Sequence, residues 1–303
     1  CDLARGHVGA SEWTQRLEAA VAASPTVVLE AWLMQVQAFR GVLKGRSDDV
    51  LAVFTAAQRL PPLAQVDFLH ESIRGHVAVG LPEMGRVAEA NDLADGVIER
   101  ATRNDNPVLV ARALLVRALC QREWGHHAES ERCLRQAIER AAHPDCAAQD
   151  VSDNLELALA ESELAAGRHQ RAAALARAAF ARTQDYQRKN DLLRLRARRL
   201  LGRVALAQGQ HEEALEALSF SLRMARDLEL PLETARSAHA LAALHEATGA
   251  AAEQDKMLAL CERTLRAIDD RYQLHRLGFS DAAAPRPRRL AGSLSGSSGN
   301  AAS

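Results

Sequence analysis

Apolar positions along the chain recur at helical spacing and are interrupted at regular places by glycine. In "LLGRVALAQGQHEEALEAL", residues 200–218, apolar residues fall three or four positions apart on both sides of Gly209. This spacing places the apolar side chains on one face of a helix. A small residue, Gly202, stands seven positions before the glycine, and another, Ala214, stands five positions after it. The stretch therefore predicts two helices packed closely around a turn.

The same helical hairpin recurs along most of the chain. Glycines in this setting are Gly45, Gly85, Gly125, Gly167, Gly209 and Gly249, at intervals of 40, 40, 42, 42 and 40 residues. Seven positions before them stand only small residues, namely Ala38, Ala78, Ala118, Ala160, Gly202 and Ala242. A fixed period of this length is the signature of a solenoid of stacked repeats. The sequence therefore predicts six hairpins.

The recurring residues have a steric explanation. Antiparallel helices approach closely only where the facing side chains are small, and glycine ends the first helix by adopting a left-handed backbone conformation. Five of the six hairpins are preceded by a proline, which a first helical turn tolerates. These prolines are Pro25, Pro62, Pro107, Pro144 and Pro231. The fifth hairpin has "DYQRKN" at residues 185–190 instead, so we expect a longer or nearly continuous helix there.

The repeat carries a family resemblance. "LGRVALAQGQHEEALEALSFS" has a small residue, glycine seven positions later and alanine five positions after that, and it resembles the tetratricopeptide repeat (TPR). The resemblance covers roughly residues 26–270 and departs from the family pattern at Pro82 and Gln254. It implies an all-α fold, a right-handed superhelical solenoid of about six antiparallel helix pairs with repeats of 40–42 residues.

Repeats of this length also resemble the sensor solenoid of large ATP-binding LuxR-family transcription regulators, typified by the maltose-regulon activator. "SPTVVLEAWLMQVQAFRGVLKGRSDDVLAVF" looks like the first repeat of that domain. The resemblance implies an upstream ATP-binding module and a downstream DNA-binding helix-turn-helix. The sequence contains no G-x-x-x-x-G-K-[ST] motif, and its three lysines, Lys44, Lys189 and Lys256, lie outside any phosphate-binding loop.

The chain divides into three predicted parts. Residues 1–25 form an N-terminal capping helix with Ser11 as its N-cap, and residues 26–275 form the TPR-like repeat domain. Residues 276–303, rich in Ser, Gly, Ala and Pro, form a disordered tail or linker. Cys1 allows two interpretations, the start of a fragment or the lipidated first residue of a lipoprotein.

Composition and charge narrow the choice of partners. The 303 residues are 48% hydrophobic but only 4% aromatic, which favours closely packed helices. A net charge of −1 provides no overall field toward nucleic acid or anionic membranes. The five cysteines include no C-x-x-C pair, which favours a reducing cytoplasm. No apolar run reaches the roughly 20 residues that span a bilayer, so we expect no membrane association.

Candidate catalytic and metal-binding residues are few. His127, His169 and His211 each follow a repeat glycine by two positions. Equivalent positions in stacked hairpins lie about 10 Å apart, too far to share a metal ion, so we expect half-buried packing rings. Cys120, Cys133 and Cys146 are expected to be buried thiols. Neither H-E-x-x-H nor G-x-S-x-G occurs, and we expect no enzymatic activity, cofactor or metal.

Arginine placement is the most informative chemical feature. The first helix of each pair lines the concave surface of such a solenoid, and positions thirteen, ten and six before the glycine face the groove. In the fifth hairpin these are Arg196, Arg199 and Arg203. The neighbouring hairpins add Arg112, Arg122, Asn154, Glu161, Arg236 and His239. Arginine binds carboxylate or phosphate with two parallel hydrogen bonds, so we predict an anion-binding groove. Simple solvation of arginines on an exposed face is the alternative.

The first hairpin offers aromatic residues to the same groove. Trp32 and Phe39 could stack on a sugar or anchor a partner peptide there, although packing in the core is an alternative for both. Direct binding of nucleic acid is not expected, because "RKNDLLRLRARRLLGR" has the charge but no interleaved aromatic residues.

These features predict a non-enzymatic module that binds a protein partner or a small anionic effector in its concave groove. Following the family resemblance, we interpret it as the signal-sensing domain of a bacterial transcription regulator. The alternative is a general TPR adaptor or scaffold that holds a peptide or protein partner. A homo-oligomer stays open, and no motif identifies the effector.

Overall fold

The computed structural model describes residues 10–57, 59, 67–143, 146, 151–184 and 190–279. These residues form fourteen α-helices and a 3-10 helix at Pro82–Met84, and no strand occurs among them. In chain order the helices are α1 Ala10–Ala23, α2 Val27–Lys44, α3 Ser47–Ala57, α4 Asp67–Gly80, α5 Val87–Arg103, α6 Pro107–Glu123, α7 His127–Ala141, α8 Val151–Ala165, α9 His169–Arg182, α10 Asp191–Ala207, α11 His211–Asp227, α12 Pro231–Ala247, α13 Ala251–Ala267 and α14 Arg271–Arg276. The predicted all-α class is confirmed.

Helices α2 to α13 form six consecutive pairs, each joined at one of the repeat glycines. All six glycines have a left-handed backbone, with φ between 67° and 80°. At Gly209, for example, the N–H of Gln210 donates to the carbonyl of Ala205 at 2.9 Å and the glycine N–H donates to that of Leu206 at 3.0 Å. These bonds satisfy the last carbonyls of α10 and reverse the chain. The predicted series of six helix pairs is therefore confirmed.

Small residues stand where the paired helices cross. Ala38, Ala78, Ala118, Ala160 and Ala242 are at most 3% exposed. In the fifth pair, a Cβ added to Gly202 would lie only 2.6 Å from Leu218 Cγ and 3.2 Å from the carbonyl oxygen of Ala214. The helices of this pair thus approach each other as closely as a missing side chain permits.

Two details of the predicted helix starts are wrong. Pro107 and Pro231 do occupy the first turns of α6 and α12. Pro25, however, precedes the N-cap Thr26 and lies outside α2, and Ser11 cannot be an N-cap because α1 already includes the residue before it. Pro62 and Pro144 lie outside the described residues.

The expected long helix before the fifth pair is also wrong. Helix α9 ends at Arg182, and α10 begins at Asp191 with Asn190 as its N-cap. The Asn190 side chain accepts a hydrogen bond from the N–H of Leu193 at 3.0 Å. An asparagine cap therefore replaces proline as the start signal, while residues 185–189 lie outside the described part.

The core consists of alanine and leucine between the helices. One buried cluster extends through hairpins one to four, and a second joins hairpins five and six. Helix α1 packs on α2, and Phe279 packs against the second cluster, while the boundaries of the three parts stay a prediction. None of the described helices combines the length and apolar character needed to cross a membrane.

The two ends of the solenoid contact each other. Lys44, at the end of α2, donates to the main-chain oxygen of Glu229 at 2.6 Å. A Cβ added to Gly45 would lie 2.7 Å from Cδ1 of Ile268. We use the term closing contacts for the four pairs that join hairpins one and two to hairpins five and six and α14: Lys44–Glu229, Gly45–Ile268, Glu83–Arg236 and Gly85–Tyr272. The superhelix therefore closes on itself.

The close crossing in the fifth pair predicts a specific stability difference. We expect Gly202→Ala to lower the free energy of unfolding by about 1 kcal/mol, because the cost of overpacking exceeds the gain in helix propensity. Gly75→Ala in α4 is the matched control, since no atom lies within 4 Å of its added Cβ. That change should stabilise the protein by about 0.5–1 kcal/mol. Urea unfolding followed by circular dichroism measures both, and a stabilised Gly202→Ala variant would contradict the close packing.

Candidate functional site

The residues predicted to line the groove lie on the first helices of their pairs. Arg112 and Arg122 lie on α6, Asn154 and Glu161 on α8, Arg196, Arg199 and Arg203 on α10, and Arg236 and His239 on α12. Five of them, which we call the inner arginine cluster, surround the carboxylates of Glu83, Glu161 and Glu233: Arg122, Arg196, Arg199, Arg203 and Arg236. The structure thus joins residues of five hairpins, the second to the sixth, at one charged site on the inner face.

Glu233 on α12 is the centre of this site and is only 2% exposed. Arg196 Nη2 lies 2.6 Å from its Oε1, Arg199 Nη1 lies 2.5 Å from its Oε2, and Arg236 Nη1 lies 3.5 Å from its Oε1. The binding role predicted for these three arginines stays a prediction, and in the free chain each of them lies against Glu233. These guanidinium groups are neutralised within the chain, because a buried charge needs a partner.

At both Glu233 and Arg199, burial and the neighbouring charges of opposite sign shift the pKa in opposite directions. Burial alone would raise the pKa of the Glu233 carboxyl, but Arg196, Arg199 and Arg236 lower it below its ordinary value. Burial also lowers the pKa of Arg199, an effect that Glu233 opposes. Both groups stay charged at neutral pH, so this part of the site is a structural ion-pair network.

Arg122 and Glu161 form a second ion pair, between α6 and α8, with Nη1 2.9 Å from Oε2. Burial would raise the pKa of Glu161, yet Arg122, Arg203, Arg199 and Arg236 lower it overall. The Glu161 side chain nevertheless keeps 38% of its surface exposed. The Glu161 carboxylate is therefore paired with Arg122 and still accessible to water.

Arg203 differs from the rest of the cluster. It is exposed on α10, and it forms no ion pair with any of the residues that the structure describes. Its charge still acts on Glu161 and on His239, whose pKa is lowered by burial and then by Arg203. His239 is therefore neutral at neutral pH and adds a hydrogen-bonding group, not a charge, to the groove.

Glu83 and the start of α14 complete the site, and sequence reasoning missed them. The Glu83 carboxylate pairs with Arg236, and Gln273 donates to the main-chain oxygen of Glu83 at 3.1 Å. Asp270 caps α14 by accepting from the N–H of Gln273 at 3.0 Å. Burial and the charge of Glu83 raise the pKa of Asp270 to about 6. The only sequence signal for these residues is polar character next to a helix start.

Four further residues that the sequence predicts for the groove stand at other positions of the chain than the residues of this network. Arg112 and Asn154 are half-buried on α6 and α8, and Phe39 is half-buried on α2. Trp32 is 41% exposed, so it is not a core residue. A role for these four residues in binding stays a prediction.

Arginines on another side of α10 contact aromatic residues of the neighbouring helices. Arg198 stacks between the rings of Phe180 and Phe220, at 4.8 and 5.1 Å from the ring centroids, and Arg194 stacks on Phe220 at 5.2 Å. The two phenylalanines come from α9 and α11, so the sequence of α10 alone could not indicate them. The planar guanidinium groups of these two arginines therefore contribute to the packing of α10 against α9 and α11.

Three histidines and three cysteines have simple structural positions. His127 and His211 are exposed at the starts of α7 and α11, so the expectation of half-buried rings is wrong for both, whereas His169 is half-buried. Cys120, Cys133 and Cys146 are buried, as expected. Burial raises the pKa of the Cys120 thiol to about 12, which makes it unreactive at neutral pH.

No protein-family model and no curated protein matches the chain. Solved structures do share its fold. A Rap protein complexed with competence and sporulation factor superposes with a TM-score of 0.68 at 14% sequence identity, covering 89% of this chain and 73% of that one. The Rap conjugation gene regulator of plasmid pLS20 in complex with the Phr* peptide gives 0.61 at 14% identity, covering 82% of this chain and 76% of the regulator.

A third similar structure is BtubC (BKLC) from P. vanneervenii, with a TM-score of 0.51 at 19% identity over 83% of this chain and 97% of that one. Identities this low show the fold alone. The chain is thus a TPR-like helical-repeat solenoid, as predicted. The finer resemblance, to the sensor solenoid of LuxR-family regulators, stays a prediction.

The Glu233 network predicts a large effect of one substitution. We expect Glu233→Gln to lower the free energy of unfolding by about 3 kcal/mol at neutral pH, because it leaves buried guanidinium groups unpaired. A carboxyl with a lowered folded-state pKa stabilises above its unfolded pKa and loses this effect in acid. The difference between the two proteins should therefore shrink below about pH 4. The control is Glu216→Gln, whose exposed ion pair with Arg198 should contribute under 1 kcal/mol or so.

Asp270 predicts the opposite dependence on pH. Because its folded-state pKa is raised to about 6, its ionisation destabilises the fold as pH rises from about 4 to about 6. We expect Asp270→Asn, which keeps the helix cap, to raise the free energy of unfolding by about 1–3 kcal/mol at neutral pH and to have no such effect near pH 4. Thermal unfolding across this range measures the change, with the exposed Asp269→Asn as control. Parallel profiles for Asp270→Asn and wild type would contradict it.

Proposed function

We propose that this chain is a non-enzymatic binding module whose inner face recognises an acidic peptide segment or a small anionic effector. One observation carries the proposal: the inner arginine cluster contains five guanidinium groups around three carboxylates, and Arg203 is exposed without an ion pair among the described residues. A ligand carboxylate at Arg203 would gain a charge-assisted hydrogen bond, which is stronger than a hydrogen bond between neutral groups.

The polar surroundings favour an extended ligand over an isolated ion. Neutral His239 and the water-accessible pair of Arg122 and Glu161 offer further hydrogen-bonding groups near Arg203. Trp32 on the first hairpin is 41% exposed, and we propose that it adds an apolar contact for the same ligand. An acidic peptide with an apolar residue fits this combination. Peptides or factors are present in two solved structures that share the fold, which is consistent with this class of ligand.

At the cellular level, we propose that the module senses a signal for a bacterial transcription regulator. Occupancy of the groove would favour one curvature of the superhelix and so shift the population of states available to attached modules. The alternative is a TPR adaptor that holds a protein partner without a link to DNA. A ligand-dependent change in solenoid shape favours the sensor, whereas constitutive binding of a partner without a change in shape favours the adaptor.

Binding of short acidic peptides tests the site. We expect fluorescein-labelled hexaglutamate to bind, hexaglutamine and hexalysine not to bind, and the affinity to fall with salt. Arg203→Ala should weaken hexaglutamate binding about tenfold or more, since it removes one charge-assisted contact. Fluorescence anisotropy measures the affinities.

The matched control is Arg223→Ala, which removes an exposed arginine from the outer helix α11. It should leave hexaglutamate binding unchanged. Equal affinities of wild type, Arg203→Ala and Arg223→Ala would show that the peptide binds by general attraction to surface charge, and this result would reject the groove as its site.

A further inference from the structure

The closing contacts place a carboxylate from hairpin two on an arginine of the inner cluster. Glu83, in the 3-10 helix Pro82–Met84, pairs with Arg236 of α12, 153 residues further along the chain. Gln273 of α14 donates to the main-chain oxygen of Glu83 at 3.1 Å and to its Oε2 at 3.3 Å. A guanidinium and an amide N–H thus hold Glu83 in the way that a site for a carboxylate ligand would.

A short helix holds this arrangement closed. The ring of Tyr272 covers Gly85, where an added Cβ would lie 2.6 Å from Cδ2 of the ring. Arg276 pairs with Glu123 of α6 at 3.2 Å, and the Tyr272 hydroxyl donates to the same carboxylate at 3.4 Å. Helix α14 has only six residues, too few to be stable alone. Its position therefore depends on packing contacts: Leu274 is part of the core of hairpins five and six, while Tyr272 and Arg276 contact hairpins two and three.

The closing ion pairs are exchangeable, unlike those at Glu233. The side chains of Glu83 and Arg236 are 28% and 26% exposed in their pair, and Glu229 is 86% exposed in its pair with Lys44. The carboxylate of Glu233, by contrast, is 3% exposed where Arg199 meets it. Ion pairs that keep access to water contribute little to stability. Another carboxylate can therefore replace Glu83 without exposing a buried charge.

We propose that Glu83 is an internal competitor for the acidic ligand: in the closed superhelix it occupies Arg236, and a ligand carboxylate that takes its place releases hairpin two from α12 and α14. This inference rests on the proposed function, because the ligand is the acidic peptide or effector of the inner face. Release of Glu83 leaves Nη2 of Arg236 available in addition to Arg203, while Nη1 of Arg236 stays 3.5 Å from Glu233 Oε1. A ligand with two or more carboxylates then gains a second charged contact as the superhelix opens.

Thermodynamic linkage gives the proposal a measurable consequence. If the closed form excludes the ligand, the apparent affinity is reduced by the fraction of molecules that are open. Any change that weakens the closing contacts but spares the arginines must then raise the affinity. A protein that is about one-tenth open gains up to about tenfold when the closure is lost.

The first test removes the competing charge. Glu83→Gln keeps the shape of the side chain, and Glu99→Gln is the matched control, because Glu99 forms an exposed ion pair with Arg103 on the adjacent α5. Spin labels at Asp48→Cys on α3 and Arg271→Cys on α14, both exposed positions, report the distance across the closure in a Cys1→Ser background. We expect a longer and broader distance distribution in Glu83→Gln only.

The second test opens the closure by a steric route. Gly85→Ala places a methyl group against Tyr272, whereas Gly125→Ala occupies the same left-handed turn of the next hairpin, with no atom within 4 Å of the added Cβ. Both variants carry the same backbone strain, so their difference isolates the closure. We expect Gly85→Ala to lengthen the label distance and Gly125→Ala to leave it unchanged.

Binding of fluorescein-labelled hexaglutamate to the same variants completes the experiment. Glu83→Gln and Gly85→Ala should each bind about tenfold more tightly than their controls. Unchanged distances in both variants, or longer distances with unchanged or weaker binding, would overturn the proposal. Failure of the wild-type protein and of every variant to bind hexaglutamate would refute the proposed ligand class instead, and the label distances would still report whether Glu83 closes the superhelix.

Discussion

Close approach of paired helices is the constraint on which the rest of this structure depends. Small residues at the crossings, such as Gly202 against Leu218, bring each second helix almost into contact with the backbone of the first. Alanine and leucine then fill the thin space between layers. Because the hairpins stack so tightly, six of them suffice to bring the first into contact with the last. The contact between the two ends is thus a consequence of the small residues at the helix crossings.

The fold could be predicted from the sequence because its determinants are local and periodic. A glycine with positive φ ends each first helix, and its spacing is visible without any knowledge of tertiary contacts. The inner face of each helix follows from the same register, so the positions of Arg199 and Arg203 could also be predicted. The proline rule was less reliable, because a capping asparagine at Asn190 serves the same purpose.

The partners of the arginines could not be predicted to the same extent. Glu233 does leave a signal, since the residue sixteen positions before the repeat glycine is Leu or Val in the first five hairpins and Glu in the sixth: Leu29, Leu69, Leu109, Val151, Leu193 and Glu233. A charge in an apolar register indicates a buried ion pair. Glu83 leaves no such signal, because its pairing with Arg236 arises only when the superhelix closes across 153 residues. The periodic pattern within one repeat carries no information about contacts between the two ends of the superhelix.

Under the proposed function, a groove lined with arginine has to be stable before its ligand arrives, and this requirement accounts for the many charges that are already paired. Guanidinium groups that lie close together repel one another, and they lose hydration when they are buried. Carboxylates of the chain itself therefore neutralise these arginines in the free protein. The degree of exposure then separates two kinds of carboxylate. Glu233, almost wholly buried, cannot leave without stranding Arg199, whereas Glu83 is 28% exposed and can return to water. The same electrostatic requirement therefore produces a permanent counter-ion in one place and an exchangeable one in another.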